Sequence, residues 1–200
     1  MDKLKEKFEN YEKYLKFVQE KLNKFFEAQS PYISCKKGCA FCCKNAQFPY
    51  SELEFNYLVY GSLMLSKDIQ AKVEANIEKT LKDKKEFKGA VFKYNCPFLI
   101  DDSCSVYNNR GVVCRAFGLA EINKDGNSKV PFCHELGLNY SQVVDEKTQT
   151  ISKEKYLALN EEKEPLAYNV SYKFLTEDRM AKNFNFEFGE KRPLIDWFEQ

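Results

Sequence analysis

Four of the eight cysteines of this chain fall within nine residues, and no other feature constrains the fold and chemistry as strongly. The block occupies residues 35–43 and reads Cys-Lys-Lys-Gly-Cys-Ala-Phe-Cys-Cys. Thiols crowded this closely are typical of disulfides, metal sites or redox chemistry. The other four cysteines follow at Cys96, Cys104, Cys114 and Cys133.

The expected compartment decides among these chemistries. The chain starts Met-Asp-Lys-Leu-Lys-Glu-Lys, without the apolar run of a signal peptide, and no later apolar run has the roughly 20 residues that cross a bilayer. The 31 basic and 30 acidic residues nearly cancel, so neither nucleic acid nor a membrane surface is an expected partner. The sequence therefore predicts a soluble cytoplasmic protein, whose reduced thiols favour metal binding or catalysis over a disulfide framework.

The gaps within the block are Cys-x3-Cys-x2-Cys-Cys. In a helical or tightly turned segment, Cys35, Cys39 and one of the two adjacent cysteines share a face. Neighbouring side chains diverge by about 100° on a helix and about 180° on a strand, so Cys42 and Cys43 are not expected to aim at one ion together. One of them is expected to bind metal, and the other serves a second ion, a redox role or the core. Gly38 permits a left-handed backbone in this loop.

A second block supplies the further ligands that a closed site needs, at Cys96, Cys104 and Cys114. Four thiolates around Zn²⁺ or around a +2 four-iron cluster leave a charge of about −2. Nearby cations are expected to offset this charge, and two of the chain's four arginines lie in the second block. The candidate cations are Lys36, Lys37, Lys44, Arg110 and Arg115.

Taken together, the two blocks resemble a known family. The first block, then Cys-Pro-Phe-Leu from Cys96, Cys-x2-Tyr-x2-Arg from Cys104 and Cys-Arg-x-Phe from Cys114, is similar to the YkgJ-type cysteine-cluster family (CxxCxxCC) of zinc- or iron-chelating domains. The similarity runs from about residue 35 to residue 117. Members usually have Arg-Pro where this chain has Arg110-Gly111, which is expected to loosen the turn before Cys114.

The resemblance implies a small, mostly helical metal-binding domain, widespread in bacteria and without a generally established reaction. It therefore leaves open whether the chain is an enzyme. The metal ligands that it implies are Cys35, Cys39, Cys42, Cys43, Cys96, Cys104 and Cys114.

The preferred hypothesis is a cytoplasmic protein that chelates iron, as a 4Fe-4S iron–sulfur cluster, or zinc, and that has a redox or metal-handling role. Spacing does not separate these metals, because tetrahedral thiolate sites serve both. The alternative is an iron–sulfur enzyme, since Cys35-x3-Cys39-x-Phe41-Cys42 also resembles the radical S-adenosylmethionine motif. That motif should follow the first strand of a large α/β barrel, whereas here it follows a predicted helix.

Cys133 and the only histidine, His134, are adjacent and leave a choice open. The pair could complete a metal site. The favoured interpretation is that Cys133 is a small buried apolar residue and that His134 lies on the surface.

The predicted fold is mainly α with a small β-sheet or hairpin, in one compact, metal-stabilised domain over residues 1–200. The cysteine-cluster core covers about residues 30–138, and an N-terminal helix (2–28) and a C-terminal extension (139–200) pack on it. Apolar residues from Leu4 to Phe25, at alternating steps of four and three, predict the N-terminal helix. We expect this stripe to pack on the core rather than to form a coiled coil.

The remaining elements follow from capping, periodicity and turn residues. Ser51 and Glu54 predict a capping box that opens a helix, and apolar steps of four from Ile69 to Leu81 predict a second. Strand formers and an Asp-Gly turn predict β-structure. The other predicted elements are a strand at 90–94, a tight reversal between 100 and 104, a hairpin of 119–122 with 129–132, helices at 152–162 and 174–181, a strand or clamped strip at 183–189 and a docked helix at 193–198.

Overall fold

Helices dominate the computed structural model, which describes residues 2–45 and 47–199. Counted with the 3-10 turns, they occupy about half of the described residues, and the strands are only two or three residues long. The predicted mainly helical fold with small sheets is confirmed. None of the helices in this described part of the chain is long and apolar enough to cross a membrane.

The elements are named in chain order. The α-helices are α1 (Asp2–Ala28), α2 (Phe41–Lys44), α3 (Glu52–Ser62), α4 (Lys67–Glu86), α5 (Val112–Ala116), α6 (Lys153–Leu159), α7 (Tyr172–Leu175) and α8 (Asp178–Lys182). The strands are β1 (Pro49–Ser51), β2 (Leu99–Ile100), β3 (Ser103–Cys104), β4 (Ala120–Ile122), β5 (Ser128–Lys129), β6 (Val144–Asp145), β7 (Thr150–Ile151), β8 (Ala167–Tyr168) and β9 (Lys191–Pro193). Short 3-10 helices cover Ser30–Tyr32, Tyr107–Asn109, Phe132–Leu136 and Leu194–Phe198.

Contacts divide the chain into two units, each made of separate stretches of the sequence. Unit 1 comprises Met1–Phe8, Lys37–Gly111 and Asn185–Gln200, and unit 2 comprises Glu9–Lys36 and Val112–Phe184. The single-domain organisation with a core at about 30–138 stays a prediction.

In unit 1, the C-terminal segment is tied to the start of α3. Strand β1 pairs antiparallel with β9, with Tyr50 opposite Arg192. The predicted capping box forms, because Ser51 accepts a hydrogen bond from the Glu54 amide while the Glu54 carboxylate accepts one from the Ser51 amide. The terminal 3-10 helix docks here, since Trp197 Nε1 donates to the Tyr50 carbonyl at 3.1 Å.

Residues 9–28 of α1 belong to unit 2, where they supply many of the buried side chains. The helix has the predicted bounds, and its stripe is buried except for the exposed Leu4 and the half-buried Phe25. Tyr14 lies outside the predicted stripe but is also fully buried, and its hydroxyl donates to the Leu175 carbonyl. The packing of this helix on the cysteine-cluster core stays a prediction.

The small sheets of unit 2 follow the turn residues. Strands β4 and β5 form the predicted hairpin, with Glu121 opposite Lys129, and β8 adds to β4 in parallel. Strands β6 and β7 form a second hairpin. The predicted helix from Ser152 is shorter than expected and ends at Leu159, with Ser152 accepting from the Lys155 amide at 3.2 Å.

Two predicted elements differ in the structure. Residues 90–94 form no strand, and Phe92 and Tyr94 instead stack on each other with ring centroids 5.5 Å apart. The helix predicted at 174–181 is interrupted, because Glu177 adopts extended backbone between α7 and α8. Of the two alternatives predicted for residues 183–189, the structure has the strip and not the strand, with Phe186 and Phe188 buried.

Candidate metal centre

The first cysteine block is an irregular loop that ends in one helical turn. Residues 33–36 lack regular structure, Lys37 and Gly38 form a turn, and the helix α2 begins only at Phe41. Gly38 has the predicted left-handed backbone, with φ +88°. The helix on which Cys35 and Cys39 would share a face does not form. The two residues belong to different units.

Cys42 and Cys43 lie on α2 with their sulfurs 4.0 Å apart, and both side chains are half-buried. Two sulfurs bound to one tetrahedral Zn²⁺ at about 2.3 Å are about 3.8 Å apart. The expectation that the two side chains do not bind one ion together stays a prediction, although their sulfur separation is one that a shared ion would allow. The divergence of two Cα–Cβ bonds does not fix the sulfur positions, because rotation about χ1 moves each sulfur between staggered wells.

The surroundings of Cys43 favour its thiolate. The hydrogen bond from Cys42 lowers the pKa of Cys43 to about 7, from the ordinary 9.0, and the charge of Arg110 assists while burial opposes the shift. The Arg110 guanidinium lies over the Tyr107 ring, with Cζ 3.5 Å from the ring centroid. Because thiolates are the form of cysteine that binds metal, Cys43 is prepared for ligation near neutral pH.

The second cysteine block meets the first through the backbone in unit 1. The Cys96 amide donates to the Cys43 carbonyl at 2.7 Å. Three residues later, Leu99 pairs with Cys104 in the hairpin β2–β3. Asp101 and Asp102 form the predicted turn of this hairpin, with φ of 48° and 55°.

The predicted cations have different partners. Lys44 pairs with Asp102 at 2.7 Å on the surface, and in unit 2 Arg115 donates to Gln19 Oε1 at 3.2 Å. Arg110 is a predicted cation whose charge acts on a candidate thiolate, that of Cys43.

In unit 2, Cys114 lies half-buried on α5, and Cys35 is exposed in the loop after α1. The sulfur of Cys35 accepts a hydrogen bond from Asn139 Nδ2 at 3.2 Å. Sequence reasoning missed Asn139, since a single asparagine beyond the cysteine pattern carries no recognisable sequence signal.

The structure answers one part of the choice at Cys133 and His134. Cys133 is buried, as its interpretation as an apolar residue expected. His134 is also buried, so the prediction of a surface histidine is wrong. The 3-10 helix turns it inward, where its Nε2 lies 2.5 Å from Gln149 Oε1.

None of the eight cysteines, all of which lie in the described part of the chain, forms a disulfide bond. Within residues 2–45 and 47–199, no three side chains of His, Cys, Asp or Glu lie together closely enough to hold a metal ion. The structure thus brings together the Cys42–Cys43 sulfur pair and the backbones of Cys43 and Cys96. Thiolates suit both zinc and iron, so the donor set fits the metals that the sequence predicts.

The sheets bear on the alternative of a radical enzyme. In the described part of the chain they have two or three short strands. The large barrel that would carry a radical S-adenosylmethionine motif is not formed by these residues.

These features define a class, that of proteins with cysteines clustered in two sequence blocks. The family is shown by a family model that matches residues 34–134: the chain belongs to the CxxCxxCC family, described as a "putative zinc- or iron-chelating domain". The match begins next to Cys35, as the resemblance predicted, but extends past Phe117 to include Cys133 and His134. No curated protein and no solved structure matches the chain.

Proposed function

We propose that this protein chelates zinc or iron through cysteine thiolates, with Cys42 and Cys43 as neighbouring ligands of one ion. The observation that carries the proposal is the 4.0 Å separation of their sulfurs, close to the edge of a tetrahedral thiolate site. The pKa of Cys43, lowered to about 7, supports the same role.

The other ligands of this ion are proposed from the second block. Cys96 and Cys104 lie on the segment that hydrogen bonds to Cys43 and then forms the hairpin β2–β3. Cys39 of unit 1 is a further candidate for this ion, which takes four ligands in all. Cys35 and Cys114 of unit 2 stay proposed metal ligands without assignment to this ion. A bound metal ion would cross-link the thiolates that ligate it. Metal binding would therefore be coupled to the ordering of the segments that carry these cysteines.

A single ion is favoured over a 4Fe-4S cluster. Four cysteines hold the four irons of such a cluster, so each thiolate belongs to a different iron. Two sulfurs 4.0 Å apart instead suit one shared ion. The cluster is the second candidate, because the chain carries more cysteines than one tetrahedral ion needs.

The accessible positions of the sulfurs favour metal handling over a closed structural site. Cys39 is exposed, and Cys42 and Cys43 are half-buried. Such sulfurs can be reached by a competing ligand, so the proposed role is reversible uptake of the ion in the cytoplasm.

The test is metal analysis and an absorption spectrum of the full chain purified without oxygen. We expect about one zinc or iron ion per chain and removal of this ion by a competing chelator. About four irons with matching sulfide and a broad band near about 400 nm would replace the single ion by a cluster. A folded, reduced preparation that contains neither metal, and takes up neither on titration, would overturn the proposal.

A further inference from the structure

Asn139 is almost completely buried, with 1% of its surface exposed, and its side chain joins three parts of unit 2. Its Oδ1 accepts from the Ser34 amide at 2.8 Å. Its Nδ2 donates to the Gly118 carbonyl at 2.7 Å and to the Cys35 sulfur at 3.2 Å. All these contacts lie within unit 2.

The two backbone partners fix the orientation of the Asn139 amide. Exchanging its oxygen and nitrogen would place two N–H groups against each other at Ser34 and two oxygens against each other at Gly118. The Asn139 amide group therefore turns an N–H, and not its oxygen, toward the sulfur of Cys35.

Gly118 provides the space in which this sulfur lies. Its φ is +112°, which residues with a side chain rarely adopt. A Cβ at this position would lie 2.9 Å from the Cys35 sulfur and 3.0 Å from Asn139 Nδ2. The glycine and the buried amide together form a cradle for one sulfur.

The chain also clamps the backbone around this cradle. The Tyr140 amide donates to the Tyr32 carbonyl at 2.9 Å, so the residue after Asn139 is bonded close to the start of the cysteine loop. Asn139 lies beyond residues 34–134, which the family model matches. The support of Cys35 is therefore supplied by a segment outside the cysteine pattern.

We propose that Asn139 is a positioning residue for Cys35: its buried amide, with the space left by Gly118, holds the Cys35 sulfur in the orientation for metal binding. This inference rests on the proposed function. Hydrogen bonds to metal ligands orient them, and loss of such a partner costs about 10- to 100-fold in metal affinity.

The test variant is Asn139→Asp in the full chain. Aspartate has nearly the same shape and still accepts from the Ser34 amide, but it presents a carboxylate oxygen to the sulfur and to the Gly118 carbonyl. We expect zinc affinity, measured by competition with a chromophoric chelator, to fall about 10- to 100-fold. In the metal-free chain, the rate of alkylation of Cys35, measured by mass spectrometry, is expected to fall. The reason is that the carboxylate disfavours the thiolate, which is the nucleophile. Alkylation of the other cysteines should not change.

Gln29→Glu is the matched control. Gln29 is equally buried in unit 2, and its amide also joins two backbone groups, donating to the Glu164 carbonyl and accepting from the Leu166 amide. This variant is expected to lower stability without a selective change at Cys35. Gly118→Ala is the second variant, and it should weaken zinc binding by displacing the sulfur from its cradle.

The outcomes separate the two proposals. If the wild-type chain takes up neither zinc nor iron, the proposed function fails, and this role of Asn139 fails with it. If the wild-type chain binds zinc and Asn139→Asp binds it equally well, only the role of Asn139 is overturned. It is also overturned if Gln29→Glu slows the alkylation of Cys35 as much as Asn139→Asp does.

Discussion

In unit 1 the Cys43 sulfur lies 4.0 Å from a second sulfur and feels the charge of Arg110, whereas in unit 2 the Cys35 sulfur accepts a hydrogen bond from the neutral amide of Asn139. The first environment stabilises a negative charge. The second fixes a position by shape and by a directed hydrogen bond. Removing the positive charge near Cys43 should therefore act through the pKa of that thiol, whereas changes to the shape or the hydrogen bonding around Cys35 should act through the position of its sulfur.

A glycine lies near each of these two environments: Gly118 beside the Cys35 sulfur, and Gly111 next to Arg110 in the chain. Gly118 has a left-handed backbone beside the Cys35 sulfur. Gly111 is buried, and its amide donates to the Tyr50 hydroxyl at 3.1 Å. A Cβ there would lie 2.9 Å from Glu54 Oε1. The expectation that Gly111 loosens the turn before Cys114 stays a prediction, and the structure shows Gly111 hydrogen bonded to Tyr50.

The largest expected effect concerns the sulfur pair of unit 1. Cys43→Ser should reduce zinc or iron affinity by more than about 100-fold, because it removes a ligand rather than a partner of a ligand. Chelator competition measures this loss. Cys133→Ala, which changes a buried cysteine of unit 2, is the control and should keep the metal. Equal losses in both variants would contradict the assignment of Cys43.

The next largest effect is on stability, at the two glycines. Gly111→Pro should lower the free energy of unfolding by about 3 kcal/mol, since it removes the hydrogen bond to Tyr50 and crowds Glu54. Gly111→Ala keeps the donor and should lower it by about 1–2 kcal/mol. Urea unfolding of the metal-free chain measures both.

Gly118→Ala extends this comparison to unit 2. This variant should lower the free energy of unfolding by about 1–3 kcal/mol. Alanine is strained in the left-handed backbone of residue 118, and its Cβ would crowd the Cys35 sulfur. If Gly111→Pro and the wild type have the same urea midpoint of unfolding, then the hydrogen bond of Gly111 to Tyr50 and the narrow space beside Glu54 do not stabilise the fold.

A smaller effect is expected from the charge beside Cys43. Arg110→Ala should weaken metal binding about fivefold or less, because it raises the pKa of Cys43 by removing a positive charge from a partly solvated site. Arg110→Lys keeps the charge but loses the planar stacking on Tyr107, so it should recover only part of the affinity. The loss in Arg110→Ala should shrink at high salt.

Arg115→Ala is the matched control for this charge. Arg115 belongs to unit 2 and donates to Gln19, so its removal should leave the pKa of Cys43 unchanged. An equal loss of affinity in Arg110→Ala and Arg115→Ala would show that net charge, and not the position of Arg110, is responsible.

A further effect is the pH dependence of the stability of the metal-free chain. The pKa of Cys43 is lowered from 9.0 to about 7 in the folded state, so between these values the unfolded chain binds more protons than the folded chain. The contribution of Cys43 to stability is therefore complete above about pH 9 and is lost as the pH falls through about 7. Urea unfolding at a series of pH values should show this rise, and Cys43→Ser should reduce it. A profile unchanged by Cys43→Ser would contradict the lowered pKa.

The sequence by itself determined the features that depend on neighbouring residues. The spacing from Leu4 to Phe25 predicted α1, and Ser51 with Glu54 predicted the capping box. The Asp-Gly turn predicted the hairpin of β4 and β5. The two cysteine blocks predicted the family, because the family is defined by the order and spacing of those cysteines.

Only the tertiary structure decided how the sulfurs are surrounded. Periodicity describes directions of Cα–Cβ bonds, so it could not place the sulfurs of Cys42 and Cys43 4.0 Å apart. The buried His134 lies in a 3-10 helix, and its partner Gln149 lies in the separate hairpin of β6 and β7. Asn139 reaches Cys35 across 104 residues of chain. No local pattern encodes such a contact, because it exists only after distant segments have packed together.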